Sequence, residues 1–151
     1  PEHFTMYDHC DECQEHDDLM RSRDRATLTV EDVGDTWTPL PMLTPEGYRY
    51  YFPALVRLAL SAGGEDFLAY LVRDLGAPIR HESPPAPLRR TALFGAAETR
   101  AVLAFLRYVR DHEQERLERH NPGSDRVLSR AIRNWEHFVS CRNAASPSTS
   151  V

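Results

Sequence analysis

Lysine is absent from this chain of 151 residues, because all eighteen of its Lys and Arg side chains are arginine. A chain without lysine has neither a Schiff-base lysine nor the lysine of a phosphate-binding P-loop. The G-x-S-x-G, G-x-G-x-x-G and H-E-x-x-H motifs are also missing. Hydrolase, kinase and dehydrogenase functions therefore have no motif to support them, and the sequence favours a non-enzymatic protein.

Long apolar runs are missing as well. No window of 18 apolar residues exists, and the first residues lack the charged region followed by an apolar region that is typical of a secretion signal. Three cysteines, two of them in a C-x-x-C pair, do not form the disulfide framework of a small secreted domain. These observations predict a cytoplasmic protein that does not contact a membrane.

The charges that are present lie unevenly along the chain. The net charge is −5, but residues 1–35 hold eleven acidic side chains against three arginines, whereas residues 36–151 hold twelve against fifteen. An acidic segment repels phosphate backbones, so a nucleic-acid partner is not expected. The acidic front instead suits a cation or a basic protein partner.

Apolar residues recur at three- and four-residue steps and predict a mainly α-helical fold. We expect one domain over residues 1–142, built as a bundle of about four to five helices with an acidic N-terminal segment. Residues 143–151, which are rich in Ser, Ala, Pro and Thr, are expected to be a disordered tail.

Four segments give the clearest helical signals. Thr44 is a suitable N-cap and Pro45 a suitable first helical residue, so a helix should start there and run to residue 62, kinked or interrupted at Pro53. The other predicted helices span residues 65–75, 96–120 and 124–141.

The segments between these helices are less regular. Residues 7–25 contain neither Pro nor Gly, which permits a helix with a weak apolar face. Residues 27–33 alternate partly between apolar and polar, which predicts a short strand or an extended arm. Prolines 39 and 41 should hold the chain extended as far as Leu43. The four prolines of residues 77–90 predict a long loop.

The densest set of metal-ligand side chains lies in residues 9–17. If this segment is helical, Cys10 and Cys13 are one turn apart, and His9, Cys13 and His16 share a face. Cys10, Cys13 and His16 could therefore supply three zinc ligands. A fourth ligand would have to come from one of five other residues: His3, Asp17, His112, His120 or Cys141.

Two other interpretations of the C-x-x-C pair stay open at this point. A single pair without a second one also fits two small thiols that pack against the core. A redox role is less favoured, because four carboxylates should raise the pKa of both thiols. These are Asp8, Asp11, Glu12 and Glu15.

An arginine stripe forms the second candidate site. Arg126, Arg130 and Arg133 should lie on the polar side of the last predicted helix, opposite its apolar face. Guanidinium groups can make paired hydrogen bonds to carboxylates and phosphates, so the stripe could bind an acidic partner. The alternative is the ordinary solvent-facing side of an amphipathic helix.

Two stretches carry a resemblance to known proteins, namely residues 9–13 (HCDEC) and residues 43–54 (LTPEGYRYYFPA). Together they resemble an uncharacterised family of small bacterial proteins of unknown function. The resemblance implies a bacterial, cytoplasmic origin and transfers no activity and no site residue. In size and acidity the chain is also similar to toxin-immunity proteins.

The sequence therefore favours a non-enzymatic domain that binds another protein, immunity-like or adaptor-like and stabilised by a metal. The alternative is a zinc metalloprotein with Cys10, Cys13 and His16 as ligands. Such a site would be structural with four protein ligands, or hydrolytic with a bound water and Glu12 or Glu15 as the base. Nucleic-acid binding through the arginine stripe is the least favoured function.

Overall fold

The computed structural model describes residues 1–34, 38–76 and 90–144, with side chains described as far as residue 140. Over these residues the chain is mainly helical and contains no β-sheet. An isolated antiparallel bridge joins Thr5 to Leu43. The predicted mainly α-helical bundle is confirmed.

The described residues form helices at all four of the most clearly predicted segments and at two others. The helices are α1 (Asp11–Arg21), α2 (Val30–Val33), α3 (Pro45–Ala59), α4 (Glu65–Gly76), α5 (Ala96–Tyr108), α6 (Gln114–His120) and α7 (Ser124–Ala144). Helix α7 continues to Ala144, past the predicted domain end at residue 142. The rest of the predicted tail, residues 145–151, and nearly all of the predicted loop at 77–90 lie outside the described residues.

The prediction of a short strand at residues 27–33 is wrong. Thr29 caps α2, because its hydroxyl accepts a hydrogen bond from the backbone N–H of Asp32 while the Asp32 carboxylate accepts one from the N–H of Thr29. Just before α2, the Asp24 carboxylate accepts hydrogen bonds from the backbone N–H groups of Ala26 and Thr27. These side-chain contacts favour a turn followed by a helix over an extended strand.

The proline-containing segments also differ in detail from expectation. Residues Leu40–Met42 form a 3-10 turn and are not extended, since proline is compatible with the first turn of a helix. Thr44 caps α3 as predicted, with its hydroxyl 3.0 Å from the Gly47 nitrogen. Helix α3 then continues through Pro53 to its end without interruption.

A π-helical turn divides the long helix predicted at residues 96–120. Val109–Glu113 forms this turn between α5 and α6. Arg116, at the start of α6, then reaches across to α4, where its guanidinium donates to Glu65 at 3.2 Å and to the Ser61 carbonyl at 2.6 Å. The polar end of the predicted helix is thus tied to the bundle by a specific side chain.

Helix α7 packs against both α4 and α5 and closes the core. The buried Trp135 indole donates a hydrogen bond to the Leu75 carbonyl at 3.0 Å. Gly76 lets the end of α4 approach α7 closely, since an added Cβ would meet Ala131 and Val127 atoms at 3.2 Å. The largest fully buried side chains include Trp135, Tyr48, Tyr51, Phe67, Met20 and Leu28.

Residues 3–6 form an arm that lies along the segment preceding α3, and we call it the N-terminal arm. The backbone N–H of Met6 donates to the Met42 carbonyl, and the N–H of Thr44 donates to the Phe4 carbonyl, both at 2.9 Å. The Phe4 ring contacts the edge of the Tyr51 ring, with 5.0 Å between centroids. The arm therefore has a fixed place in the fold.

Asp17 of α1 holds the N-terminal arm from the other side. Its fully buried carboxylate accepts hydrogen bonds from the N–H of Phe4 at 2.7 Å, the N–H of Thr5 at 3.0 Å and the His3 ring at 2.7 Å. Burial by itself raises the pKa of Asp17, but the hydrogen bonds from His3, Thr5 and Phe4 outweigh it and leave the pKa below its ordinary value. The charged carboxylate is therefore part of the folded structure.

We predict that Asp17→Asn lowers the free energy of unfolding by about 2–3 kcal/mol at neutral pH, because hydrogen bonds to a charged acceptor are lost. Because the pKa of Asp17 in the folded protein lies below its ordinary value of 3.8, the charged carboxylate stabilises the fold above that pH. This stabilisation is lost as the pH falls through the lower pKa of the folded protein. The difference between the two proteins should therefore shrink below about pH 4. Urea unfolding at several pH values measures it.

Asp18→Asn is the matched control, since Asp18 is the exposed neighbour of Asp17 on the same helix. It should change the unfolding free energy little at any pH. An Asp17→Asn protein as stable as the parent at pH 7 would show that this carboxylate does not hold the arm.

Candidate metal centre

The start of α1 brings one histidine and two cysteines together. Ligand atoms of His9, Cys10 and Cys13 all lie within 4.8 Å of one another. The two Sγ atoms are 3.2 Å apart, and Cys13 Sγ is 3.7 Å from His9 Nδ1. We call these three residues the His-Cys-Cys group.

Local helix geometry explains this arrangement. Cys10 is the N-cap of α1, with extended backbone angles, and its sulfur accepts a hydrogen bond from the Cys13 N–H at 3.4 Å. Asp11 and Glu12 occupy the first turn, where negative charge is favourable near the free N–H groups of a helix. A turn closed by the bond from His9 N to the Met6 carbonyl brings His9 beside the helix start.

The two thiols differ in environment. Cys13 lies in the core with 2% of its surface exposed, whereas Cys10 is half-buried. The Cys13 N–H, followed by the Cys13 thiol and the His9 ring, lowers the pKa of the Cys10 thiol. Burial, followed by the Cys10 sulfur and Glu12, raises the pKa of Cys13. The expectation that nearby carboxylates would raise the pKa of both thiols is therefore wrong for Cys10.

The spacing of the group fits a tetrahedral metal ion after a small adjustment. Zinc–ligand bonds of about 2.3 Å to sulfur and 2.0–2.1 Å to nitrogen place two sulfurs about 3.8 Å apart, and a sulfur and a nitrogen about 3.6 Å apart. The observed nitrogen–sulfur distance already matches, and the two sulfurs would have to separate by about half an ångström. Because Cys10 is half-buried, its side chain has room for that movement.

His16, the third zinc ligand predicted from sequence, is not one of the three grouped residues. Its ring is fully buried on the inner face of α1, with Nε2 3.9 Å from a Glu12 carboxylate oxygen. Burial lowers the pKa of His16, and the opposing effects of Glu12 and Glu15 are smaller. The structure places His9 beside the thiols instead.

The sequence marked the start of α1 only weakly. Two acidic residues in a first turn are typical of a helix start, but cysteine is not among the preferred N-cap residues, so the position of Cys10 as the N-cap came from the structure. Cys13 and His16 both lie within α1 on its buried face, so their spacing by itself could not decide between His16 and His9 as the residue beside the thiols. His9 does lie beside Cys13, as the sequence suggested, but it lies before the start of α1 and does not share a helix face with Cys13.

Four of the five residues considered as a fourth ligand have other contacts. His3 bonds Asp17 and stacks on Tyr7, with ring centroids 4.2 Å apart. His112 packs on Tyr108, and His120 Nδ1 is 4.0 Å from Asp66. The Cys141 side chain lies outside the described part of the chain. Among the residues that the structure does describe, no fourth His, Cys, Asp or Glu joins the His-Cys-Cys group.

The arginine stripe is exposed to solvent on α7, as the sequence predicts. The side chains of Arg126, Arg130 and Arg133 form no ion pair within the described part of the chain, whereas Arg107 of α5 binds Glu136. The stripe is thus accessible, and its role in binding a partner stays a prediction.

The fold and the three grouped ligands define a mainly α-helical domain with a candidate metal-binding group. The model of DUF6714, a family of unknown function, matches residues 2–137, and the chain belongs to that family. The predicted membership of an uncharacterised family is confirmed. No curated protein and no solved structure matches the chain. No described helix combines the length and apolar character that crossing a membrane requires.

Proposed function

We propose that this chain is a metal-binding helical domain in which His9, Cys10 and Cys13 bind a zinc ion. The observation that carries the proposal is the convergence of three ligand atoms within 4.8 Å at the start of α1. Two thiolates and an imidazole are the donor set that proteins use for zinc, and calcium or magnesium would require oxygen ligands.

The metal would connect two parts of the fold. His9 and Cys10 follow the N-terminal arm, and Cys13 belongs to the buried face of α1. An ion held by all three therefore ties the arm to the helix beside the Asp17 hydrogen bonds. Because unfolded chains lack a preformed site, the binding free energy adds directly to folding stability.

A tetrahedral zinc ion bound by three residues has a fourth coordination position, and a partner protein could supply the ligand there. His9 is exposed and Cys10 is half-buried, so solvent would reach an ion that these two residues bind. A water molecule, or a side chain from a bound protein, completes a tetrahedral site with three protein ligands. This supports a metal-stabilised interaction domain, with the open metal position as the point of contact.

Titration with cobalt(II) tests the proposal, because thiolate-bound tetrahedral cobalt has characteristic visible and near-ultraviolet absorption. We expect one cobalt per chain with sulfur-to-metal absorption, and displacement of cobalt by zinc. His9→Asn should weaken binding by at least ~10-fold through loss of one ligand. His112→Asn is the matched control, because His112 packs on Tyr108 outside the group.

A third variant separates the two candidate ligand sets. His16→Gln should retain cobalt affinity if His9 is the ligand, and circular dichroism shows whether the variant is folded. A normal spectrum and affinity for His9→Asn, or the absence of any sulfur-to-metal band in the parent protein, would refute the proposed ligand set.

A further inference from the structure

The two sulfurs of the His-Cys-Cys group lie at a distance that suits a second chemistry. Their separation of 3.2 Å is shorter than the roughly 3.8 Å that a tetrahedral zinc requires. A disulfide bond needs about 2.05 Å, so a movement of about an ångström joins the two sulfurs. The backbone already directs both side chains toward each other, from the N-cap and from the first turn of α1.

The different exposure of the two cysteines also favours oxidation in two steps, first at Cys10 and then between the two sulfurs. Cys10 is half-buried at the end of a helix, and its sulfur accepts the Cys13 N–H, a contact that stabilises a thiolate. Cys13 lies beneath it with 2% of its surface exposed. An oxidant arriving from solvent therefore meets Cys10 first, and the sulfur of Cys13 is already within reach of the product.

We propose that Cys10 and Cys13 form a reversible intramolecular disulfide with hydroperoxides, and that the disulfide and the metal-bound state exclude each other. The Cys10 thiolate attacks the peroxide, breaking the O–O bond and forming a sulfenic acid and hydroxide. The Cys13 sulfur then attacks the Cys10 sulfur, and the sulfenic oxygen leaves as water with the Cys13 proton. Overall, two thiols and one hydrogen peroxide give a disulfide and two water molecules.

The consequence for the metal rests on the proposed function. The same two sulfur atoms cannot both ligate zinc and bond to each other, and metal ligation requires the thiolate forms. Oxidation would therefore leave His9 as the single remaining ligand of the group and release the ion. A thiol reductant would reverse the disulfide and restore binding.

The oxidation step can be tested on metal-free protein, so its outcome does not depend on zinc binding. Residues 1–20 contain no Lys or Arg and trypsin cleaves after Arg21, so residues 1–21 stay together in one peptide that contains both cysteines and not Cys141. After treatment with one equivalent of hydrogen peroxide, this peptide should lose the mass of two hydrogen atoms and regain it with dithiothreitol. Cys13→Ser should instead leave Cys10 as a sulfenic acid that a dimedone probe labels.

Two results would overturn the proposal. One is a peptide 1–21 that stays a dithiol while Cys141 is oxidised, and the other is stepwise oxygen addition at Cys10 of the parent protein without a disulfide.

Cobalt-loaded protein provides the second arm of the test. Peroxide should remove the sulfur-to-cobalt absorption as the disulfide forms. If the disulfide forms in metal-free protein but no cobalt ever binds, the redox pair stands and the metal proposal fails.

Discussion

Cys13→Ser is expected to abolish metal retention by the purified protein, with an affinity loss of at least ~100-fold. Changes to side chains that merely orient a metal ligand already cost about 10–100-fold, so removal of a thiolate ligand should exceed that range. Cys13 Sγ also lies near both partners of the group, 3.2 Å from Cys10 Sγ and 3.7 Å from His9 Nδ1. Elemental analysis of protein purified without a metal-chelating tag gives the metal content.

Glu12→Gln is the matched control for this experiment. Glu12 lies in the sequence between Cys10 and Cys13 and carries a nearby negative charge, but it is not one of the grouped ligands. The variant should keep close to the parent's metal content. Equal metal in Cys13→Ser and the parent would rule out Cys13 as a ligand. A chelator should also lower the thermal midpoint of the parent and leave that of Cys13→Ser unchanged.

Gly47→Ala is expected to destabilise the fold by about 3 kcal/mol, because the N-terminal arm passes directly over this glycine. A Cβ at position 47 would overlap the Phe4 carbonyl oxygen and lie 3.0 Å from the carbonyl carbon. The contact involves backbone atoms, so no side-chain rotation relieves it. The arm is held in place by bonds to Thr44, Met42 and Asp17, and it must move as a unit.

Thermal unfolding measures this effect, and the midpoint should fall by roughly 6–12 °C for a chain of this size. Gly95→Ala is the matched control, since a Cβ at that position meets only the flexible end of the Glu98 side chain, at 3.2 Å. It should change the midpoint far less. A Gly47→Ala protein with the parent's midpoint would mean that the arm does not pack on α3 in solution.

The accuracy of the sequence predictions depended on how local the responsible contacts are. Thr44 and Pro45 were identified as the start of α3 because an N-cap and the residues it bonds lie within one turn. At residues 27–33 two local signals competed. The partial alternation of apolar residues suggested a strand, but the reciprocal capping of Thr29 and Asp32 produced a helix.

The candidate site shows the same division. The spacing of Cys10 and Cys13 was enough to predict that the two thiols lie close together if the segment is helical. The third member could not be chosen from spacing, because His9 and His16 lie four residues before and three residues after Cys13. The structure places His9 beside the thiols, just before the start of α1, and buries the His16 ring in the core.

By itself the sequence determined the helical class of the fold, the absence of lysine chemistry and the pairing of the two thiols. Each depends on composition or on contacts a few residues apart, which period and spacing describe directly. Tertiary structure alone decided the place of the N-terminal arm, the burial of Asp17 and the role of Gly47. Those features depend on contacts between distant segments. The hydrogen bond between Asp17 and Phe4 joins residues 13 apart in sequence, and the one between Thr44 and Phe4 joins residues 40 apart. No local pattern encodes which backbone groups will meet when such distant segments pack together.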